Sequence, residues 1–565
     1  MTERYLIVGG VAGGASIATR LRRLDEHAEI VIFEQGPHIS FSNCSLPNYF
    51  SGEVKNIDDL VLMSPQGFRK KYKVDVRTES KVVKINPENK SILVEDISKG
   101  EKYEENYDKL ILSPGADAIK PKSIKGVDRD NVFTLKNVVD VSKIDSFIEE
   151  NGVKDIAVVG GGFIGIEAME NLRMKGYNLS LIEAMDQVMA PFDYDMAQTL
   201  HKEILDHDVN LILDDGVAEI KDGGLVLDSG KEVKADMVIL AIGVSPNTKL
   251  AENCGIELGE TKAIKVDHNY QTNIEDIYAV GDAIEVTNFQ TGKKQRLSLA
   301  GPAQKQARSA ADAIFKRPIL NKGVVGASVL RIFDLNAASV GLNEKALKEE
   351  GIDYDFSYIM PADRVGLMPE SSPMFFKLIF AVPSGKILGA QAIGKGAVDK
   401  RIDIVSALIQ MNGYLEDLKD MEFAYAPHFS TAKDVTNQAA QVGLNVLNGE
   451  YKQVPVTKVR ELVEENAFIL DVREEAEYKN GHLKNAVNIP LGQIRDRLNE
   501  IPKDKNVYLH CRSSQRSYLA IKILQGHGYD KLFNIQGSFL GISLYEYFDD
   551  KRLGREPILT KYNFK

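Results

Sequence analysis

The sequence predicts an α/β protein of several domains, on three observations. A unit of buried strand, glycine-rich turn, helix, second strand and terminal acid begins near residue 5 and returns near residue 156. A third strand, Val507-Tyr508-Leu509-His510, runs into a cysteine loop and a helix. The length, 565 residues, gives room for three or four domains of ordinary size.

The elements follow in order. Residues 5–8 (YLIV) read as a buried strand, followed by Gly9-Gly10-Val11-Ala12-Gly13-Gly14, the helical run SIATRLRRL, and the strand Ile30-Val31-Ile32-Phe33 ending at Glu34. That order is the Rossmann fingerprint. Gly9, Val11, Ala12 and Gly14 mark a turn whose backbone N–H groups can hold a pyrophosphate at a helix N-terminus, and Glu34 is placed for a ribose diol. Val11 occupies the middle glycine position. In the second unit, Ile156-Ala157-Val158-Val159 leads to Gly160, Gly162 and Gly165, which match the pattern fully. The next strand, LSLIE, ends at Glu183. A strand-end acid accepts the 2'-hydroxyl of NAD(H) and repels the 2'-phosphate of NADP(H). Ala184, Met185 and Asp186 follow, so NADH is expected in preference to NADPH.

Charge and composition exclude other classes. A formal charge of -11 argues against a nucleic-acid or anionic-membrane surface. No apolar run reaches the roughly 18–20 residues of a membrane span, and MTERYLIVGG lacks the layout of a secretory signal. Three cysteines cannot form a disulfide framework, so a reducing cytoplasm is the expected location. No metal site is expected.

Further motifs carry a family resemblance. Thr272-Asn-Ile-Glu-Asp-Ile-Tyr-Ala-Val-Gly-Asp282 resembles the second FAD motif of two-dinucleotide flavoproteins, in which the final acid binds the ribityl chain. The stretches 112–116 (LSPGA) and 241–247 (AIGVSPN, with Gly243) resemble the strands that return each nucleotide domain to the core. Ser40-Phe41-Ser42-Asn43-Cys44-Ser45-Leu46-Pro47 resembles the single-cysteine branch of the FAD- and NAD-linked pyridine nucleotide-disulfide oxidoreductases. That branch includes CoA-disulfide reductases, NADH oxidases and NADH peroxidases.

The resemblance implies FAD in the first unit, NADH (or NADPH) in the second, and hydride transfer between them. It implies that Glu167 orients the nicotinamide. It also implies that Cys44, with Ser40 and Asn43 beside it, exchanges with a small thiol through a mixed disulfide. The oxidases and peroxidases carry a histidine where this chain has Ala12, so sulfenic-acid chemistry on Cys44 is the lesser alternative. Asn43 matches the CoA-disulfide reductases. Cys254 lacks such surroundings and reads as a packed thiol.

LAGPAQKQARSAAD (299–312) resembles the element that lines flavin and thiol site, with Ala300 on the flavin and departures at Gln304, Lys305 and Ala307. Arg20, Arg22, Arg23, Lys70, Lys71 and Lys305 offer cations to the phosphates of coenzyme A, expected as substrate or bound ligand. Residues 325–445 resemble a dimerisation domain. Its Glu422–Ser430 segment would carry Tyr425 to the partner's cysteine in a homodimer, as a proton donor to the departing thiolate; His428 replaces the usual proline. A family tyrosine pair is replaced by Leu367 and Met368, which leaves room for a persulfide or polysulfide.

The C-terminal motifs, FILDVRE (468–474), Gly481-His482-Leu483, and His510-Cys511-Arg512-Ser513-Ser514-Gln515-Arg516-Ser517, resemble a rhodanese domain. Cys511 would carry sulfane sulfur, with Arg512 and Arg516 adding positive charge and Ser514 replacing a more usual glycine. A cysteine loop opening a helix stabilises such an anion.

The full expectation is two Rossmann-like dinucleotide-binding domains, an α+β dimerisation domain and a C-terminal α/β rhodanese domain. The boundaries are 1–115 with 276–324 for FAD, 116–275 for NAD, 325–445 for the dimer region, 446–458 as linker and 459–558 for the rhodanese. The expected activity is NAD(P)H-driven reduction of CoA persulfide, polysulfide or CoA disulfide. A sulfur carrier or redox sensor is the non-catalytic alternative.

Overall fold

Residues 2–564 are described by a computed structural model, and they form two compact units. One comprises residues up to 184 with 212–324; the other comprises 185–211 with the chain from 325 onward.

In the first unit, five parallel strands lie in the order Ile277–Ala279, Lys109–Leu112, Arg4–Val8, Glu29–Phe33, Asp75–Arg77. Tyr5, Leu6, Ile7, Ile32 and Ile111 are fully buried, as strands covered on both faces require. The helices Ala12–Leu24 and Ala300–Ile314 pack on each other in the same core. The first helix begins at Ala12, earlier than SIATRLRRL suggested. Gly13 and Gly14 fit inside its first turn because they lack side chains: a Cβ on Gly14 would lie 1.8 Å from the Gly9 carbonyl oxygen.

A second parallel sheet runs Val132–Thr134, Met237–Leu240, Asp155–Val159, Asn178–Ile182. Three-stranded antiparallel sheets flank each nucleotide sheet in the chain, at 80–106 and 217–234. The two returning stretches meet: Ala116–Ala118 pairs antiparallel with Val244–Pro246, and Asn247 N–H donates to the Gly115 carbonyl at 3.0 Å.

The second unit holds a five-stranded antiparallel sheet ordered Ser328–Ile332, Leu335–Gly341, Ile387–Gly394, Met374–Ala381, Tyr354–Ile359. Lys377 is fully buried in it. Its Nζ lies 2.9 Å from Asp195, 3.1 Å from Asp193 and 2.5 Å from Glu344, with the Phe356 ring 4.1 Å away. Burial alone would push this ammonium down; the three carboxylates more than offset it and hold the lysine above its ordinary range.

Residues 452–564 add a parallel sheet ordered Lys452–Val454, Leu532–Ile535, Val507–His510, Phe468–Asp471, Val487–Asn488. The stretch expected as a linker is therefore structured. Lys452–Val454 is a strand of this sheet, Tyr451 and Val456 are buried, and the preceding helix runs to Leu447. This sheet also docks on the antiparallel one. Gln453 Nε2 donates to the Phe356 carbonyl at 2.9 Å, as does Gln536 Nε2 at 3.2 Å.

Residues 185–211, expected inside the NAD-binding domain, group with the second unit instead. Their helix Tyr194–Asp206 packs on Ser538–Leu553: Tyr194 donates to Asp549 at 2.7 Å, and the His201 and Phe548 rings lie 4.8 Å apart. Among the described residues no helix is long and apolar enough to cross a membrane.

Candidate active site

The first glycine turn has the geometry its residues predict. Gly9 has φ +96°, and a Cβ there would lie 2.1 Å from the Ser113 carbonyl oxygen. Val11 starts the helix with no side-chain cap, which leaves backbone N–H groups for an anion. Glu34 is held rigidly: its carboxylate accepts the N–H groups of Gly10 and Gly36, each at 2.8 Å, while burial pushes its proton affinity up. A bound hydroxyl pair suits such an acid.

Asp282 sits in the short turn Gly281–Ala283, its pKa raised by burial and drawn back by Lys136, whose Nζ is 3.9 Å away. Gly281 N–H donates to Gln306 Oε1 at 2.8 Å. Gln306 is buried on the helix that Ala300 opens, so it ties the second FAD motif to that helix. Sequence reasoning missed it. The signal was present: Ala303, Gln306, Ala307 and Ala310 form one apolar helical stripe with a single polar member.

The second turn repeats the device. Gly160 has φ +110°, and a Cβ on Gly165 would lie 1.8 Å from the Gly160 carbonyl oxygen. At Gly162, the N-cap of Phe163–Lys175, a Cβ would meet open space, which suits a phosphate approaching the helix end. Glu183 accepts the Gly161 N–H at 2.6 Å. Gly243 has φ +114° on the returning stretch. Both cradles fit dinucleotides of the expected kind, FAD on the first and NAD(P)H on the second.

Cys44 stands in the turn Asn43–Ser45, just before the helix Leu46–Ser51 with Pro47 in its first turn. Ser40 has a left-handed backbone (φ +49°), and its N–H donates to the Gly10 carbonyl at 3.0 Å. The cysteine segment is thus tied to the first glycine turn. The Asn43 amide donates to the Lys136 carbonyl at 3.2 Å. This anchors the turn, and Lys136, another residue missed in sequence, links it to Asp282.

Helix Leu46–Ser51 packs against Phe163–Lys175, which carries Glu167. Cys44 is exposed as a residue, but its thiol is pushed up by desolvation on the protein side and by the negative charges of Glu167 and Asp282. Glu167 is itself pushed up to about 7, by burial and then by Glu170. Glu167 and Asp282 thus both act on the Cys44 thiol through their charge. Cys254 donates its thiol to the Ala251 carbonyl at 3.2 Å, as expected of a packed cysteine.

The expected phosphate cations divide. Arg20 is committed to Asp312, to which its Nε donates at 3.0 Å. Arg22 is buried and donates to the carbonyls of Tyr72, Lys73, Asp25 and Glu26. Arg22 is structural, because a guanidinium whose donors are taken up by four backbone carbonyls has little left for phosphate, whereas Arg20 has two of its nitrogens on Asp312. Arg23, Lys70, Lys71 and Lys305 are exposed.

In the second unit, Tyr425 is 49% exposed on a stretch (421–434) without helix or strand, and Leu367 is 86% exposed. Buried Arg401 holds the end of that stretch, pairing with Asp434 at 3.0 Å and donating to the Phe429 carbonyl at 3.4 Å.

Cys511 follows the strand Val507–His510 and precedes the helix Gln515–Gly526; it is only 1% exposed. Arg516 makes two hydrogen bonds to Glu477, at 2.6 and 2.8 Å, so its charge braces the loop and does not wait for substrate. Arg512 is partly buried beside the cysteine. Beneath the loop, buried Arg473 pairs with Asp471 at 2.6 Å and stacks 3.8 Å over the Phe539 ring.

Comparison with known proteins agrees with this geometry. The pyridine nucleotide-disulphide oxidoreductase family matches residues 3–307, its dimerisation domain matches 328–435, and a rhodanese-like domain matches 455–544. A coenzyme A disulfide reductase of Staphylococcus haemolyticus (strain JCSC1435) is 34% identical over 436 residues, 77% of this chain and 98% of that relative. The crystal structure of reduced Bacillus anthracis CoADR-RHD superposes with a TM-score of 0.94 at 42% identity, covering 98% of this chain and 99% of that one. A NAD-dependent persulfide reductase from A. fulgidus gives 0.90 at 34% identity, covering 95% and 99%. A water-forming NADH oxidase from Lactobacillus brevis gives 0.75 at 27% identity, covering 80% and 100%. The chain belongs to the pyridine nucleotide-disulphide oxidoreductases, enzymes of FAD and NAD(P)H, and carries a rhodanese-like domain at its C-terminal end.

Proposed function

We propose that this reductase acts on the sulfur–sulfur bond of a CoA persulfide, a polysulfide or CoA disulfide, with Cys44 as nucleophile and Cys511 as carrier of sulfane sulfur. The observation that carries the reading is the cysteine inventory. Cys44 sits with Glu167 and Asp282, while Cys254 is packed and Cys511 is buried in the rhodanese-like part, so the first unit offers no second redox thiol. The other sulfur must come from the substrate.

The Cys44 thiolate attacks one sulfur of the substrate, a mixed disulfide forms on Cys44, and the outer fragment leaves as a thiolate or as hydrosulfide. FAD, when bound on the first cradle, supplies the electron pair taken from NAD(P)H on the second. Each turnover consumes one NAD(P)H and one proton. It yields two thiols from a disulfide, or a thiol and hydrogen sulfide from a persulfide. Glu167, with a proton affinity near neutrality, is suited to hold or release that proton. Glu183 favours NADH.

In a homodimer the exposed Tyr425 would serve the partner's Cys44 as hydrogen-bond donor. Arg23, Lys70, Lys71 and Lys305 are the exposed cations open to the phosphates of coenzyme A. Leu367 and Met368 favour persulfide or polysulfide over the bulkier disulfide. Reduced thiols suit a cytoplasmic location.

The test is anaerobic NADH oxidation with each sulfur substrate, for the intact protein, Cys44→Ser and Cys511→Ser. Loss of turnover in Cys44→Ser is expected; full turnover in that variant with every substrate overturns the mechanism. Turnover that requires oxygen would instead support the oxidase reading, which the likeness to the water-forming oxidase keeps in view and Ala12 opposes.

A further inference from the structure

Two serines beside Cys511 adopt a backbone that serine avoids. Ser514, inside the cysteine loop, has φ +74°; Ser538, at the start of the helix Ser538–Leu553, has φ +46°. Glycine occupies this left-handed region without strain, and a serine there is held against its preference. A strained side chain that persists invites the question of what it does.

Here the two hydroxyls meet. Ser514 Oγ lies 3.1 Å from Ser538 Oγ, bridging two loops distant in sequence. Ser538 Oγ also accepts the Cys511 N–H at 3.2 Å and lies 4.0 Å from the Cys511 sulfur, while Ser517 Oγ lies 3.8 Å from it. Ser514 is partly exposed, whereas Ser538 is fully buried and Cys511 is 1% exposed.

We propose that the Ser514–Ser538 hydroxyl bridge is a latch that closes the Cys511 pocket and must part before sulfur enters or leaves. This rests on the reading of Cys511 as a sulfur carrier. Loading forms a new S–S bond between Cys511 and the outer sulfur of a donor persulfide, breaks the donor's own S–S bond, and releases the donor as a thiol; no oxidant is needed. The product side chain is one sulfur longer, and the Cys511 sulfur already has the Ser517 and Ser538 oxygens within 4.0 Å and is almost shut off from solvent. Ser514 is the positioning residue, since its hydroxyl reaches the sulfur through Ser538. The latch favours slim sulfane donors over bulky ones.

The experiment uses the full-length protein and follows alkylation of Cys511 by iodoacetamide, read on the Cys511 peptide by mass spectrometry across a pH series. The variants are Ser514→Ala, which removes the hydroxyl, Ser514→Gly, which removes hydroxyl and backbone strain together, and Ser514→Asn, which keeps a polar side chain in a residue tolerant of this backbone. If access is limited by local opening, Ser514→Ala and Ser514→Gly should be modified on the order of tenfold faster at every pH, with an unchanged midpoint. Ser514→Asn should stay near the wild-type rate. Because glycine suits φ +74°, Ser514→Gly is expected to fold and melt no lower than wild type.

Wild-type alkylation rates in Ser514→Ala and Ser514→Gly overturn the latch. So does a rate change that comes only from a shifted midpoint, since the hydroxyl would then be tuning the thiol and not its access. Transfer of sulfane sulfur to cyanide, measured on wild type and Cys511→Ser, separates the two readings. Equal transfer in both removes the carrier role while leaving the access measurement to stand or fall by itself.

Discussion

Arg516 and Glu477 are joined side by side, two N–H donors on two carboxylate oxygens, and the pair fastens the Cys511 loop to the helix Glu475–Lys479. The hydrogen bonds from Arg516 are the main reason Glu477 stays below the ordinary carboxylate range. A depressed folded value means that the stabilisation is present above the unfolded pKa of about 4.3 and is lost as pH falls through the folded one. The pair is partly exposed, so it contributes no more than about 1 kcal/mol. Glu477→Gln is expected to lower the unfolding midpoint slightly at pH 7, with the difference from wild type shrinking as pH falls below the unfolded value of about 4.3. A difference that does not change on acidification would show that the pair acts by packing alone.

Glu167 gives the opposite sign. Its folded value of about 7 lies above the unfolded value of about 4.3, so between them the native chain binds a proton that the unfolded chain does not. Stability falls as pH rises through that window. Glu167→Gln should remove this slope, so that the variant gains on wild type from pH 5 to pH 8. The pH profile of kcat/KM should also lose its limb near neutrality. Parallel melting curves for the two proteins across this range would refute the assignment.

Gln306 supplies the acceptor for a buried backbone N–H beside Asp282. Gln306→Leu leaves Gly281 N–H without a partner, a loss of about 1–3 kcal/mol, and should reduce the flavin retained through purification. Gln306→Glu keeps an acceptor oxygen in place. Flavin absorbance per polypeptide, read for both variants, should fall in the first and largely recover in the second.

Lys377 is the buried cation among Asp193, Asp195 and Glu344, with exposed Lys348 reaching only Glu344. Lys377→Met would leave buried carboxylates unbalanced and should cost about 3–5 kcal/mol. Because the lysine is held above its ordinary range, its contribution is present throughout the neutral region and is lost only under strongly alkaline conditions. Denaturant unfolding of the second unit at pH 7 provides the measurement. A loss below about 1 kcal/mol would mean that the acids simply take up protons.

The nucleotide cradles were legible because their geometry is local. Gly9, Gly160 and Gly165 are dictated by backbone approach within a few residues, and Glu34 and Glu183 by where a strand ends. The Cys511 loop was legible for the same reason. The phosphate cations were not: whether an arginine is available depends on acids and carbonyls far away in sequence, and Asp312 and Tyr72 had already engaged Arg20 and Arg22. VLNGEYKQVP read as a linker by composition, yet its strand is decided by an edge at Leu532–Ile535 that local pattern does not reveal. That residues 185–211 group with the second unit was not legible, because the largely buried helix Tyr194–Asp206 declares its apolar face in sequence but not its partner.

The docking of the rhodanese sheet changes what counts as a part of this protein. Gln453 and Gln536 both reach the Phe356 carbonyl on the edge strand of the antiparallel sheet, and Tyr194 and His201 meet Asp549 and Phe548. A cut at residue 446 would lay bare two unmatched faces, one with the Phe356 carbonyl stripped of both its amide donors. The joint that composition suggests is a weld in the folded molecule. Inheritance as a fusion and melting as a module are therefore different divisions of this chain.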